Sequence, residues 1–454
     1  MNLALFQIRE NATIRNALKQ IDLNNYGVIF VTDITNAVIG IATDGDIRRS
    51  LLQGKTLDCQ VRESANTNFV WADDNANREF LLKQLDHCIK IIPILDSAKH
   101  LIGLVSRDSV PLRDESPVYA RARAPVRISF GGGGSDLTHF FAKSMGAVIN
   151  STIGIYSHAT LRLRGDSKVF IHSRDLRQSV CFNNIEEAKN INGNFRLIAA
   201  LLKVIQPEFG FELYLYSDYR MKSGLGGSAV LSAAVLGCFN QFRQDRWDLH
   251  ELAELAYQAE RLYLGVAGGW QDQYASVFGG FNFMEFKMEQ NIVHPLRIHP
   301  DVLCELEENL LLCDSNLEHD SGEVHEDQRR QMQNEHVNDK VKQNVELTYC
   351  MRNNLLRGRL DCFGRDLDTA WQLKRQFSNR ISNSYLDRVY DEAKAQGALG
   401  GKLLGAGGGG FFLFYVPAFR RLELMDALES QGNRVQQFRF EADGLRAWTV
   451  RDNN

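Results

Sequence analysis

The stretch at residues 222–240, KSGLGGSAVLSAAVLGCFN, restricts what this chain can fold into more than any other. A glycine-rich turn runs straight into an apolar helix, with Ser228 at the join. Small residues let the backbone approach a ligand closely. The first N–H groups of the helix have no intrahelical partner and carry the positive end of its dipole. The pattern predicts a phosphate cradle. A plain turn before a buried helix would read much the same, so the assignment leans on the rest of the chain.

With 454 residues, the chain is too long for one ordinary core, and two or three domains are expected. A net charge of -4 gives no basic footprint, which argues against nucleic acid as a partner. No apolar run approaches the roughly 20 residues that cross a bilayer, and the N-terminus lacks the pattern of a signal peptide. The 8 cysteines fall singly, without a CxxC pair. That composition predicts reduced thiols and a cytoplasmic protein without a structural zinc site.

Residues 1–110 contain an internal repeat. An amphipathic helix (TIRNALKQI), a strand (GVIFVTD) and a strand ending VIG return about 63 residues later as REFLLKQLDHC, IKIIPILD and LIG. The phrase after the first copy, Gly40-Ile41-Ala42-Thr43-Asp44-Gly45-Asp46, resembles the CBS repeat, a βαββα module that pairs with its twin. The resemblance implies an adenine-nucleotide site in which Thr43 and Asp46 hold a ribose. The second copy reads Gly103-Leu104-Val105-Ser106-Arg107-Asp108-Ser109, with serine at the carboxylate position, so one intact site at most is expected. A module that only assembles chains into a homo-oligomer is the alternative.

Residues 111–120, PLRDESPVYA, carry two prolines and clustered charges and read as a linker, bounded at 113–120. The sequence then opens a strand into four glycines (RARAPVRISFGGGGSD). The cradle, the phrase GGWQDQYASVFGGFNFMEF and finally GGKLLGAGGGGFFLFYV follow in that order. GAGGGG at 405–410 matches GxGxxG, but a strand follows it where a dinucleotide fold needs a helix. GxxxxGK[ST] is absent, which removes the P-loop reading. The histidines at 319, 325 and 336 lie among Glu, Asp, Gln and Arg, as on a solvated helix.

Strand–GGGGSD, GLGGSA–helix, GGWQDQ and GAGGGG–strand, in that order over residues 119–454, are very similar to the GHMP small-molecule kinases. Within that superfamily they most resemble kinases of D-glycero-D-manno-heptose 7-phosphate, with the fucokinases as neighbours. The resemblance implies an α+β fold of two lobes. Residues 121–298 form an N-terminal lobe with a left-handed βαβ feature, and residues 299–454 a ferredoxin-like C-terminal lobe. Both are preceded by a CBS (βαββα) pair at 1–112. It also implies ATP and Mg²⁺. Gly224, Leu225, Gly226, Gly227 and Ser228 would hold the nucleotide phosphates, and Ser228 with Glu260 the metal.

Asp272 would take the proton of the anomeric hydroxyl, partnered by Arg127. Asp136 would hold sugar hydroxyls, and Gly407, Gly408 and Gly409 would line the site. Lys374 and Arg375, in WQLKRQF, are the expected anchors for a phosphate on the acceptor. An exposed basic pair on a helix is the bland alternative. The expected activity is a sugar 1-kinase acting on a sugar phosphate. A fucokinase-like enzyme for an unphosphorylated sugar and a catalytically inactive nucleotide sensor are its rivals.

Overall fold

The computed structural model describes residues 3–86, 89–106, 118–220, 224–317 and 321–451. The chain divides into two units, Met1–Glu115 and Ser116–Asn454.

In the first unit the repeat folds as helix–strand–strand. Helix Ile14–Asn24 precedes the antiparallel strands Val28–Thr32 and Val38–Thr43. Strand Gln7–Arg9 adds to them in parallel, and helix Asp44–Leu52 completes the copy. The second copy is leaner. It keeps helix Arg78–Gln84 and the pair Ile91–Leu95 and Leu101–Ser106. Its first strand has shrunk to one parallel bridge, Ala72 to Ile94. Asp108 and Ser109, like most of the linker, lie outside the described residues.

In the second unit the long strands Val118–Gly131 and Gly146–Leu163 pair antiparallel and form the spine of an eight-stranded sheet. Phe211–Ser217 and Phe281–Phe286 add to the far edge of Gly146–Leu163, one on each half. Val169–Ser173 runs parallel to Phe211–Ser217 and is joined to it through a crossover that includes helix Arg196–Ile205. The cradle helix, Gly227–Asn240, packs on this sheet. From Ala229 onward nearly every side chain is buried, as its all-round apolar sequence requires. Each buried Val, Leu or Phe contributes about 1.5–3 kcal/mol to holding it there.

Four antiparallel strands make the second layer, in the order Gly400–Leu403, Phe411–Tyr415, Leu310–Asp314, Arg434–Gln436. Numbered along the chain this order is 2-3-1-4, with helices between the first and second and between the third and fourth strands. That is the ferredoxin-like arrangement the resemblance implies. Trp371, Tyr390, Phe412 and Phe414 pack as one aromatic cluster beneath it. The lobe boundary expected at 298/299 needs one correction. The last strand, Arg446–Arg451, returns to pair with Val118–Arg123, which gives the outer edge of the first sheet a partner for its open backbone groups.

Candidate active site

The glycine turn and the apolar helix form as the sequence predicts, with Lys222 and Ser223 outside the described residues. Gly226 is the residue before helix Gly227–Asn240 and sits at φ 78, in the left-handed region. No side chain caps this helix and its first turn carries no acid, so its free N–H groups remain available to an anion. They open into a cleft of about 640 Å³ whose far wall is apolar, with Leu176, Phe195, Leu197, Leu215 and Leu231. Ser228 is exposed at the mouth.

Arg127 and Asp272 meet at the floor of this cleft. Arg127 is 3% exposed. Its Nε and Nη2 donate to the two Asp272 carboxylate oxygens, each at 2.7 Å, and its Nη1 donates to the Gly224 carbonyl at 2.9 Å. One guanidinium thereby ties the acid to the glycine-rich loop before the helix. Space is tight: a Cβ on Gly226 would sit 3.1 Å from Asp272 Oδ2, and one on Gly405 would sit 2.7 Å from Gly224 Cα. The second Gly-rich loop therefore packs directly on the first.

Asp272 also faces a second, narrow cavity, lined by Asp136, Gln271, His325, Lys374 and Lys402. Asp136 accepts from the N–H groups of Gly134 at 3.1 Å and Gln271 at 3.3 Å. Burial, and then the neighbouring Asp272 charge, push its carboxyl above the usual range. The paired glycines of GGWQDQ make room for this core. A Cβ on Gly269 would sit 1.8 Å from Asp136 Oδ2, and one on Gly268 2.2 Å from Arg261 Nη2.

Glu260 is buried because a turn of π-helix, Ala259–Tyr263, rotates it inward. It accepts a hydrogen bond from Gln273 Nε2. Burial raises its carboxyl above the usual range, while Arg261, a hydrogen bond with Ser228, and Gln273 pull the other way. A hydroxyl and a buried carboxylate thus meet beside the cradle, and both offer the oxygen ligands Mg²⁺ takes together with phosphate oxygens and water. Among the described residues there is no cluster of three His, Cys, Asp or Glu, so Mg²⁺ would take its remaining ligands from a nucleotide.

Several sequence expectations need correction. Lys374 lines the narrow cavity, but its neighbour Arg375 turns away, pairs with Asp387 at 2.9 Å and lies over the Trp371 ring. Gly407 and Gly409 line neither cavity; a Cβ on them would strike Ile381 and Leu317, and the Gly408 N–H donates to the Ile381 carbonyl. The part of that loop facing the site is Gly405 with Ala406. Thr43 and Asp46 form a capping box at the start of helix Asp44–Leu52, and Asp46 also pairs with Arg49. Partial burial pushes the Asp46 carboxyl up, but hydrogen bonds from Thr43 and Arg49 outweigh it and hold it low.

The histidine segment is solvated only in part: His319 lies outside the described residues and His336 is exposed, but His325 faces inward. On helix Ser321–Gln331, Gln328 is buried and donates to the Ala406 carbonyl. His325 lines both cavities, and burial followed by the Arg261 charge lowers its imidazole to about 4.

Sequence reasoning set His325 aside as solvated and missed Arg261 and Lys402. Lys402 left a trace, as a lone charge in the otherwise apolar run GGKLLG.

Comparisons with known proteins agree with this geometry. Residues 195–280 match the GHMP kinases N terminal domain, 351–433 the GHMP kinases C terminal domain, and 1–53 the CBS domain. The CBS match thus covers only the first copy of the repeat. A D-glycero-alpha-D-manno-heptose 7-phosphate kinase of Campylobacter jejuni is 34% identical over 336 residues, 73% of this chain and 99% of that protein. A bifunctional fucokinase/GDP-fucose pyrophosphorylase of Arabidopsis thaliana is 28% identical over 71% of this chain and 32% of its own length. The crystal structure of a D-glycero-D-manno-heptose 1-phosphate kinase from Bacteroides thetaiotaomicron superposes with a TM-score of 0.61. It is 27% identical, over 73% of this chain and all of that one.

Proposed function

The chain belongs to the GHMP kinases, as a sugar kinase carrying an N-terminal CBS domain, and on that premise we propose that it transfers the γ-phosphoryl group of ATP to the anomeric hydroxyl of D-glycero-D-manno-heptose 7-phosphate. One observation carries the reading. The Arg127–Asp272 pair stands where the large cleft, with its uncapped helix N-terminus, meets a narrow cavity rich in buried cations.

In this assignment the triphosphate lies on the N–H groups of Gly227–Ser228, and the sugar enters the narrow cavity, whose space of about 50 Å³ must widen to admit it. The anomeric oxygen bonds to the γ-phosphorus as the bond to the β-bridging oxygen breaks, ADP leaves, and the hydroxyl proton passes to Asp272. The two guanidinium hydrogen bonds fix the orientation of the carboxylate. A loose phosphoryl-transfer transition state asks for little more, because the hydroxyl proton departs late. Asp136, fixed by two backbone N–H groups, would orient sugar hydroxyls.

Ser228 and Glu260 would hold Mg²⁺, which when bound neutralises developing charge on the β- and γ-phosphates. Glu260→Gln keeps the shape and removes the charge. The Mg²⁺ concentration for half-maximal rate should rise at least about tenfold. Melting temperature without metal should hold or rise, since a desolvated charge has been removed. An unchanged Mg²⁺ requirement would take Glu260 out of the metal site.

The test of the whole reading is ADP release against a panel of phosphorylated and free sugars. Heptose 7-phosphate should head the panel. A preference for fucose would move the chain to the fucokinase reading, and no turnover with any sugar would favour a nucleotide sensor. A nucleotide on the CBS unit would take its ribose contacts from Thr43 and Asp46 at the expense of their capping box.

A further inference from the structure

Strand Gly400–Leu403 is apolar except for Lys402, which is 3% exposed and points into the narrow cavity. Its ammonium makes no hydrogen bond or ion pair among the described residues. A buried, unpartnered ammonium is costly and is rare in folded proteins. Lys374 stands beside it, 6% exposed. Its Nζ donates to the carbonyls of Leu403 at 3.1 Å and Gly405 at 2.5 Å. An ammonium has three donors, so one of its N–H bonds remains for a ligand, and Lys402 keeps all three.

The other charges on the cavity wall are largely spent. Arg127 and Asp272 neutralise each other. Arg261 donates to the carbonyls of Val266 and Gly269 and lies 3.8 Å from Glu260. Asp136 alone faces the two lysines, and burial lowers both amines, Lys374 to about 7 and Lys402 well below its ordinary value. A neutral sugar leaves that cost in place, whereas a phosphate dianion would hold both amines in the protonated form.

The position of the two amines is informative. Asp272, Arg127 and His325 line both the narrow cavity and the nucleotide cleft, while Asp136, Lys374 and Lys402 line the narrow cavity alone. A sugar with its reacting hydroxyl at Asp272 would therefore direct its opposite end toward the two lysines. We propose that Lys402, together with Lys374, binds the phosphate group of the acceptor and makes the enzyme prefer a phosphorylated sugar to its unphosphorylated counterpart. This rests on the acceptor assignment made above.

The experiment measures kcat/KM of the full-length protein and of Lys402→Met for D-glycero-D-manno-heptose 7-phosphate and for the free heptose. The ratio of the two values should fall about 10- to 100-fold in the variant, the range for losing a hydrogen bond to a charged group. The loss should lie mainly in the acceptor KM, with the KM for ATP little changed, and Lys402→Arg should restore most of the ratio. An unchanged ratio, or an equal loss on both sugars, overturns the role of Lys402 while leaving the kinase reading standing. A wild type indifferent to the phosphate overturns the acceptor reading and this inference together.

Inorganic phosphate supplies a test that needs no variant. It should inhibit the wild type competitively with the sugar phosphate. Inhibition competitive with ATP alone would count against the site.

Discussion

The Asp272→Asn enzyme should bind ATP within a few-fold of wild type and turn over about a thousandfold more slowly, in the middle of the range for a positioned general base. Asparagine keeps one oxygen for the Arg127 fork but cannot accept the hydroxyl proton. The nucleotide contacts expected in the cradle come from backbone N–H groups that the substitution does not touch. Arg127 would lose half of its bidentate partner while staying buried, so some fall in melting temperature is also expected. Steady-state ADP release gives kcat, calorimetry with a non-hydrolysable ATP analogue gives the affinity, and a thermal scan gives the stability. Near-normal kcat would remove Asp272 from the chemistry. A collapse of ATP affinity to match the loss in kcat would mean that the carboxylate serves the phosphate loop instead.

Much of this architecture was legible in the residues, for reasons that differ from element to element. The cradle helix could be read because an all-apolar run after glycines has few other places to go. The ferredoxin-like order and the pairing of Arg127 with Asp272 could not be derived from spacing, because the two side chains lie 145 positions apart. They followed only from resemblance. Glu260 was placed by resemblance too, and nothing in its helix pattern announces the π-turn that buries it.

The misreadings also have physical causes. Lys374 and Arg375 are neighbours on one helix and so point about 100° apart. One enters the cavity and the other faces Asp387. Thr43-Asp44-Gly45-Asp46 is a different case: a hydroxyl followed three residues later by an acid is also the signature of a helix cap, the structure forms that cap, and the proposed ribose contacts would use the same oxygens. The glycines at 407 and 409 answer to Ile381 and Leu317, an internal demand that looks the same in sequence as a ligand's.

Arg127→Met should damage nucleotide binding as well as turnover. The guanidinium serves three ends at once: it fixes both oxygens of Asp272, holds the Gly224 carbonyl of the phosphate loop, and places positive charge where the γ-phosphoryl group would pass. Its loss should lower kcat by about 10²- to 10³-fold, as for removal of one preorganised electrostatic contact. ATP affinity should also weaken, because a carboxylate without a partner would then face the phosphates. Lysine should not rescue it, since a single ammonium cannot reproduce the fork that grips two carboxylate oxygens. The two sites touch, so their effects should not add. In the double variant Arg127→Met/Asp272→Asn, kcat should be close to that of the worse single variant. ATP affinity should recover toward wild type, because the repelling carboxylate has gone. Fully additive losses in kcat, or ATP affinity unmoved in Arg127→Met, would show that the pair does not work as one unit between nucleotide and sugar.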